Sequence, residues 1–366
     1  MNDAIRKVVM PKWGLSMATG KITEWIAAEG DDVAGGADLA EIDTDKIAGT
    51  LESADEGVLR RVVAEVGEDV PVGATIALIA PPEVPDADIE EAARLARAEL
   101  DSGEVEEAAG PETGTVTVDG RTLAYATLGA GEETLVLVHG YGGDKNSWLF
   151  VQEPLAESRT VHAFDLPGHG ESSKDVGDGS LDTLAGAVLG FLAEKGIERA
   201  HLAGHSLGGA VVAAAAAAEP GRVASLTLVA PAGFGTEINA GYLRGFAEAT
   251  SRRELRPHLG ALFADSAQVT RKLADDLMKY KRLDGVDTAL RTLLGTLLDG
   301  DAPGIDAAPL LAKAGVPVTV VWGREDEVLP VSNAGALPDP GAVRVVEGAG
   351  HMVHMEKPNA VVAAFE

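Results

Sequence analysis

The chain has 366 residues, enough for two or more domains with ample core, and a formal net charge of −28. That acidity argues against nucleic acid and anionic membrane surfaces as partners. The absence of cysteine excludes a disulfide framework, a thiolate metal site and a cysteine nucleophile, and no metal site is expected. The N-terminal residues carry no apolar signal core. The strongest small-apolar run, 211–218, falls far short of the ~20 residues that cross a bilayer. A cytoplasmic protein without a membrane segment is expected.

Residues 1–80 read as short strands punctuated by glycine, and they repeat. Gly30, Asp31, Asp32 and Val33 return as Gly67, Glu68, Asp69 and Val70, a shift of 37 positions. The same shift carries Gly20 onto Gly57, Ile22 onto Leu59, Ile26 onto Val63, Gly36 onto Gly73, Leu39 onto Ile76 and Ile42 onto Ile79. Such self-similarity predicts a small two-fold β-sandwich. Lys46 falls at the junction of its halves, an exposed turn, which is where a carrier domain presents its attachment lysine. Between Glu83 and Glu112 eleven acidic residues face two basic ones, and Pro81, Pro82 and Pro111 bracket the stretch. The segment 81–112 therefore reads as an acidic Ala/Pro-containing linker. Ile89, Ala93, Ala96 and Leu100 stand at helical spacing within it, with Asp88 as N-cap, and predict a solvated, semi-rigid helix.

From residue 113 to 366 the pattern becomes α/β. Strands at 115–118 and 121–128 flank Asp119-Gly120, the signature of a hairpin with a type I′ turn. Apolar strands follow at 134–138, 161–164, 200–203, 225–229, 316–321 and 343–346, with helical stretches between most of them. The alternation predicts a doubly wound, mostly parallel sheet. The interval 233–309 breaks it with helical patterns at 242–249, 268–280 and 288–298, and reads as a helical cap inserted over the sheet edge.

Within the α/β part, HLAGHSLGG at 201–209 follows a strand and opens a helix. That is G-x-S-x-G in the context the motif needs: a tight turn strains Ser206, so positions 204 and 208 admit only small residues. A serine nucleophile requires a base, and the base an orienting carboxylate, in the chain order Ser, acid, His. Asp326 and His351 each follow a strand end on the edge that Ser206 occupies. Glu325 is the nearest rival acid. His354, at the start of a helix, is the nearest rival base, and His205 reads as a packed neighbour. Two backbone donors should face a developing oxyanion: Leu207 N–H, and Tyr141 N–H in the loop HGYGG at 139–143. The loop DLPGHGES at 165–172 reads as structural.

These motifs carry two resemblances. HGYGG, DLPGHGES, GHSLGG, WGREDEVLP at 322–330 and GAGHMVHMEKP at 348–358 resemble the α/β-hydrolase family. MPKWGLSM at 10–17 and DTDKI at 43–47 resemble lipoyl domains, and imply lipoate attached covalently to Lys46. Biotin carriers are similar, but usually flank their lysine with methionine where this chain has Asp45 and Ile47. A lipoyl domain fused to an α/β-hydrolase resembles the dihydrolipoamide acetyltransferase component of acetoin dehydrogenase systems. The resemblance implies an acyltransferase that passes acetyl from lipoyl-Lys46 to coenzyme A. Its implied partners are thiamine-diphosphate-dependent acetoin dehydrogenase subunits and dihydrolipoamide dehydrogenase, and a homo-oligomer is compatible with it. The chain lacks the HxxxDG signature of ordinary 2-oxo-acid dehydrogenase acyltransferases, and 81–112 shows no clear subunit-binding domain. Two alternatives stay open: a serine esterase or thioesterase tethered to a lipoyl domain, and a docking scaffold with a vestigial site.

Overall fold

The computed structural model describes residues 2, 4–11, 17–44, 48–102, 110–337, 339 and 342–365. Its contacts divide the chain between Gly110 and Pro111, and each unit holds its own core.

The first unit contains β1 Arg6–Val9, β2 Thr19–Trp25, β3 Asp32–Val33, β4 Asp38–Thr44, β5 Ala48–Glu52, β6 Gly57–Val62, β7 Asp69–Pro71 and β8 Thr75–Ala80. They form two four-stranded sheets, ordered β1-β8-β6-β3 and β5-β4-β2-β7. Exchanging β1–β4 with β5–β8 converts one order into the other, so the 37-residue repeat is a two-fold of the sandwich. The symmetry reaches single residues. Ile22, Leu39 and Ile42 are fully buried, as are their mates Leu59, Ile76 and Ile79. A register shift falls between Ile22 and Glu24 on β2, and again between Leu59 and Arg61 on β6. Gly30, Gly36, Gly67 and Gly73 all turn with φ between +81° and +97°, a region glycine enters without a Cβ clash.

Helix α1, Asp86–Ser102, corrects the expectation of a solvated helix. It buries Ile89, Ala92 and Ala96 against Ile5, Val63, Leu78 and Ala80 of the sandwich and Val84 just after it, and Leu100 is buried as well. Arg60 and Arg97 pin it through Asp86 and Glu68, at 2.5 and 2.9 Å. Residues 81–102 are therefore packed on the carrier, although the sequence reading places them in the linker. The physical reason is visible in β8, every residue of which is buried, whereas its repeat mate β4 buries only Leu39, Ala40 and Ile42. A strand covered on both faces needs something on its second face.

The second unit is built on an eight-stranded sheet, ordered β18-β17-β14-β13-β11-β12-β10-β9. Antiparallel β9 Glu112–Val118 and β10 Arg121–Leu128 meet at Asp119 and Gly120, with φ of 48° and 77° as a type I′ turn requires. Then come β11 Thr134–Val138, α2 Leu149–Ala156, β12 Thr160–Phe164, α3 Leu181–Glu194, β13 Ala200–His205, α4 Leu207–Ala218 and β14 Val223–Val229. From β12 to β18 the neighbours are parallel. Alternate residues of β11 enter two cores: Val136 and Val138 join α3 and α4, while Leu135 and Leu137 join α2.

After β14 the cap comprises α5 Ala240–Glu248, α6 Arg252–Leu259, α7 Arg271–Lys281 and α8 Val286–Leu297, then the small hairpin β15 Leu298–Asp299 and β16 Ala302–Pro303. Helix α6 escapes the sequence pattern because Pro257 and its charged residues mask two buried leucines, Leu255 and Leu259. The chain ends with α9 Ala308–Ala314, β17 Val318–Gly323, β18 Val343–Val346, α10 Val353–Glu356 and α11 Pro358–Val362. Among the described residues no helix is long and apolar enough to cross a membrane.

Candidate active site

Ser206 stands between the end of β13 and the start of α4 with φ 53° and ψ −119°, a conformation that costs a non-glycine residue energy. Three backbone bonds hold it there: Ser206 N–H donates to Val229 O (3.0 Å), and Gly209 and Ala232 N–H each donate to Ser206 O (2.9 Å). The close approach explains the flanking glycines. A Cβ on Gly204 would lie 2.3 Å from Gly208 O, and one on Gly208 would lie 2.3 Å from Val138 O.

The loops after β17 and β18 bring Asp326 and His351 together. His351 Nδ1 lies 2.8 Å from Asp326 Oδ2. With the carboxylate accepting, Nδ1 carries the proton and Nε2 is left as the basic nitrogen. Asp326 is locked as an acceptor: Val328 and Leu329 N–H each donate to Oδ1 at 2.8 Å, and Trp322 Nε1 donates to Oδ2 at 3.2 Å. Both side chains are buried, and Ser206 is 8% exposed.

The rivals lie elsewhere. Glu325 is exposed and accepts from Ala349 N–H at 3.1 Å. His354 is fully buried between Trp148 and His205, and neither ring nitrogen has a hydrogen-bond partner. Burial depresses its pKa to about 3, so the ring is neutral. His205 is also held neutral by burial, and its Nε2–H donates to His351 O at 3.0 Å, steadying the backbone of that loop.

Two further histidines shape the loop at 139–143. Leu166 N–H donates to His139 Nε2 (3.0 Å), so His139 Nδ1 carries the proton and donates to Gly140 O (2.8 Å). Gly142 N–H donates to His169 Nε2 (3.1 Å), and His169 Nδ1 donates to Pro167 O (3.1 Å). Burial lowers both pKa values, which keeps these tautomers. Within the same loop Gly143 N–H is taken by Gly140 O. The amides of Tyr141 and Leu207, by contrast, have no acceptor among the described residues. Tyr141 Oη anchors the loop to the cap by donating to Leu290 O (2.9 Å).

Loop 165–172 is a scaffold around buried Asp165, which accepts from Lys145 N–H (2.7 Å), Lys145 Nζ (3.0 Å) and Glu171 N–H (2.8 Å). Glu356 has no signature in the sequence. Its buried carboxylate accepts from Gly350 N–H (2.8 Å) and Ala264 N–H (2.7 Å), tying the His351 loop to the cap.

Lys46 lies outside the described residues, as do residues 12–16 of the MPKWGLSM stretch. The strands flanking Lys46 pair antiparallel with Asp43 opposite Ala48, so the chain reverses between Thr44 and Ala48.

Residues 133–358 match the model of the alpha/beta hydrolase fold family, and residues 6–79 match a family described as biotin-requiring enzymes, the biotin/lipoyl type. The dihydrolipoyllysine-residue acetyltransferase component of the acetoin cleaving system of Cupriavidus necator is 45% identical, over 98% of this chain and 96% of that protein. Its counterpart in Pseudomonas putida is also 45% identical, over 96% and 95%. Among solved structures, a bacterial membrane phospholipase A is 28% identical with a TM-score of 0.60, over 76% of this chain and 89% of that one. The chain belongs to the α/β-hydrolase fold family and, within it, to the group whose members carry a lipoyl-type domain and include the dihydrolipoyllysine-residue acetyltransferase components of acetoin cleaving systems.

Proposed function

We propose that the protein is the acetyltransferase component of an acetoin-cleaving complex, with lipoate on Lys46 and Ser206, His351 and Asp326 as its acyl-transfer triad. The observation that carries this reading is the joining, on one chain, of a two-fold carrier sandwich to an α/β unit that holds a strained, buried Ser206 and a buried His351–Asp326 pair. Bound at Lys46, lipoate would supply a disulfide able to accept acetyl and two electrons together from a thiamine-diphosphate-dependent partner, the resulting dithiol being one that dihydrolipoamide dehydrogenase would reoxidise.

The chain's own residues then act on a thioester carbonyl. Ser206 Oγ attacks the carbonyl carbon and gives its proton to His351 Nε2. Asp326, held by three donors, keeps the imidazole oriented and stabilises its charged form. The unengaged N–H groups of Tyr141 and Leu207 face the developing oxyanion. Collapse expels the thiol, which takes the proton from His351 and leaves acetyl on Ser206. Coenzyme A thiol, deprotonated by His351, attacks that ester, and collapse releases acetyl-coenzyme A as His351 returns the proton to Ser206 Oγ.

A hydrolase reading uses the same residues with water as acceptor, and the product separates the two. Lipoylated protein charged with acetyl by its partner and given coenzyme A should yield acetyl-coenzyme A, with acetate as a minor product. Acetate as the main product would favour the hydrolase. Ser206→Ala should slow transfer on the order of 10⁶-fold, whereas transfer at the wild-type rate would remove Ser206 from the pathway.

A further inference from the structure

The cap carries a basic island on an acidic protein. Residues 252–282 hold eight of the chain's 30 Lys and Arg against four acidic residues, a net of +4 where the whole chain has −28. The island has a concave face. Arg252 on α6 and Arg271, Lys272, Lys279 and Arg282 along α7 line a cleft of about 430 Å³. Asp275 and Asp276 brace part of it: Arg252 and Arg271 meet Asp275 at 3.0 and 3.7 Å, and Lys279 meets Asp276 at 2.6 Å. Lys272 and Arg282 make no ion pair among the described residues. A cleft with two unneutralised cations and a braced guanidinium rim suits a small ligand carrying several phosphate charges. Its concavity favours such a ligand over a flat protein face.

The surroundings connect this cleft to the reacting end. Helix α6 runs from Arg252 at the first cleft to Pro257 and His258 at a second, of about 620 Å³. Those six residues span about 9 Å. The second cleft reaches Glu327, next to Asp326, and Phe263. The Phe263 backbone packs against Gly350 beside His351. An extended pantetheine chain, about four residue lengths, covers on the order of 15 Å.

We propose that the α6–α7 cleft binds the phosphates of the coenzyme A acceptor, with the pantetheine arm running along α6 toward the Asp326–His351 loops. This rests on coenzyme A being the acyl acceptor. The site and that reading can nevertheless fail separately.

Adenosine 3′,5′-bisphosphate should bind the full-length protein in calorimetry, weakening as salt rises. Each of Lys272→Glu and Arg282→Glu should cost roughly tenfold in that affinity. The KM for coenzyme A should rise by a similar factor with kcat at saturation unchanged. Hydrolysis of a small acetyl ester, which needs no phosphate site, should stay at the wild-type rate and reports that the variants fold. Nucleotide binding lost in the variants while no acetyl-coenzyme A forms would leave the site standing and overturn the acceptor reading. Acetyl-coenzyme A formed with an unchanged KM in both variants, or no nucleotide binding by the wild type, would overturn the site. A raised KM for the acetylated carrier domain, with the coenzyme A KM unmoved, would overturn it in favour of docking of the acidic carrier.

Discussion

At the scale of single residues, the candidate site depends on histidines whose protonation is fixed by burial. Ser206, Asp326 and His351 could be picked from the sequence because each follows a strand end, and strand ends converge on one edge of a parallel sheet. The tautomers of His139 and His169 could not, since they depend on which distant amide points at which nitrogen. His354 gives the sharpest prediction. Its pKa falls from 6.5 to about 3 on folding, so it contributes stability above pH 6.5 that is lost as pH falls through the window down to about 3. Within that window the loss is about 1.4 kcal/mol per pH unit for one proton. His139, His169 and His205 are shifted in the same direction by burial. Because both His354 nitrogens lack partners, His354→Phe should be neutral or stabilising at pH 7 and should flatten the pH dependence by one proton. Denaturant unfolding at pH 7 and pH 5 measures both effects, and an unchanged slope would count against the buried neutral ring.

At the scale of elements, the strands and the nucleophile turn are written in short-range patterns, and the helix faces are less so. The Gly204–Gly208 spacing states its own reason once the backbone is seen. Gly208→Ala pushes a methyl into Val138 O, and should displace the Ser206 turn and lower kcat on the order of 10²-fold, with binding of the acceptor little altered. Steady-state kinetics separates kcat from KM. Helix α1 is the instructive misreading. Its stripe was visible, but a stripe of small residues on an acidic segment looks like a solvated helix. The counter-signal sat in another element: TIALIA at 75–80 is apolar after Thr75, where its repeat mate DLAEIDT at 38–44 has four polar residues. Ala96→Glu places a charge at a position 1% exposed and should cost about 2 kcal/mol or more, freeing α1. Amide exchange across 86–102 should then approach the rate of an unfolded segment while small-ester hydrolysis is unchanged.

At the scale of the whole molecule, two units with separate cores predict two unfolding events. Calorimetry of the full chain should show two transitions that match those of 1–110 and 111–366 expressed alone. Separation also removes the tether. With the carrier free at about 10 µM in place of an effective concentration near 1 mM, transfer should slow about 100-fold, which a rate comparison in trans and in cis tests. The division into carrier and catalyst was legible from the repeat and the motifs, but the path of the tether was not, because it depends on the direction in which α1 lies. The end of β4, beside Lys46, pairs with the start of β2 (Thr44 with Gly20), whereas the end of β8 pairs with β6 (Ala80 with Val58) near β3. These ends stand roughly 20 Å apart along the strands. Helix α1, about 25 Å long, starts at the second end beside Arg60 and finishes with Arg97 against Glu68. The Glu68 carbonyl accepts from Ile22 N–H in the middle of β2, 3.3 Å away. The chain thus doubles back before it leaves the sandwich. A helix clamped near both ends against the sheet adds bulk to the carrier and no reach, so 81–102 enlarge the domain rather than lengthen its tether.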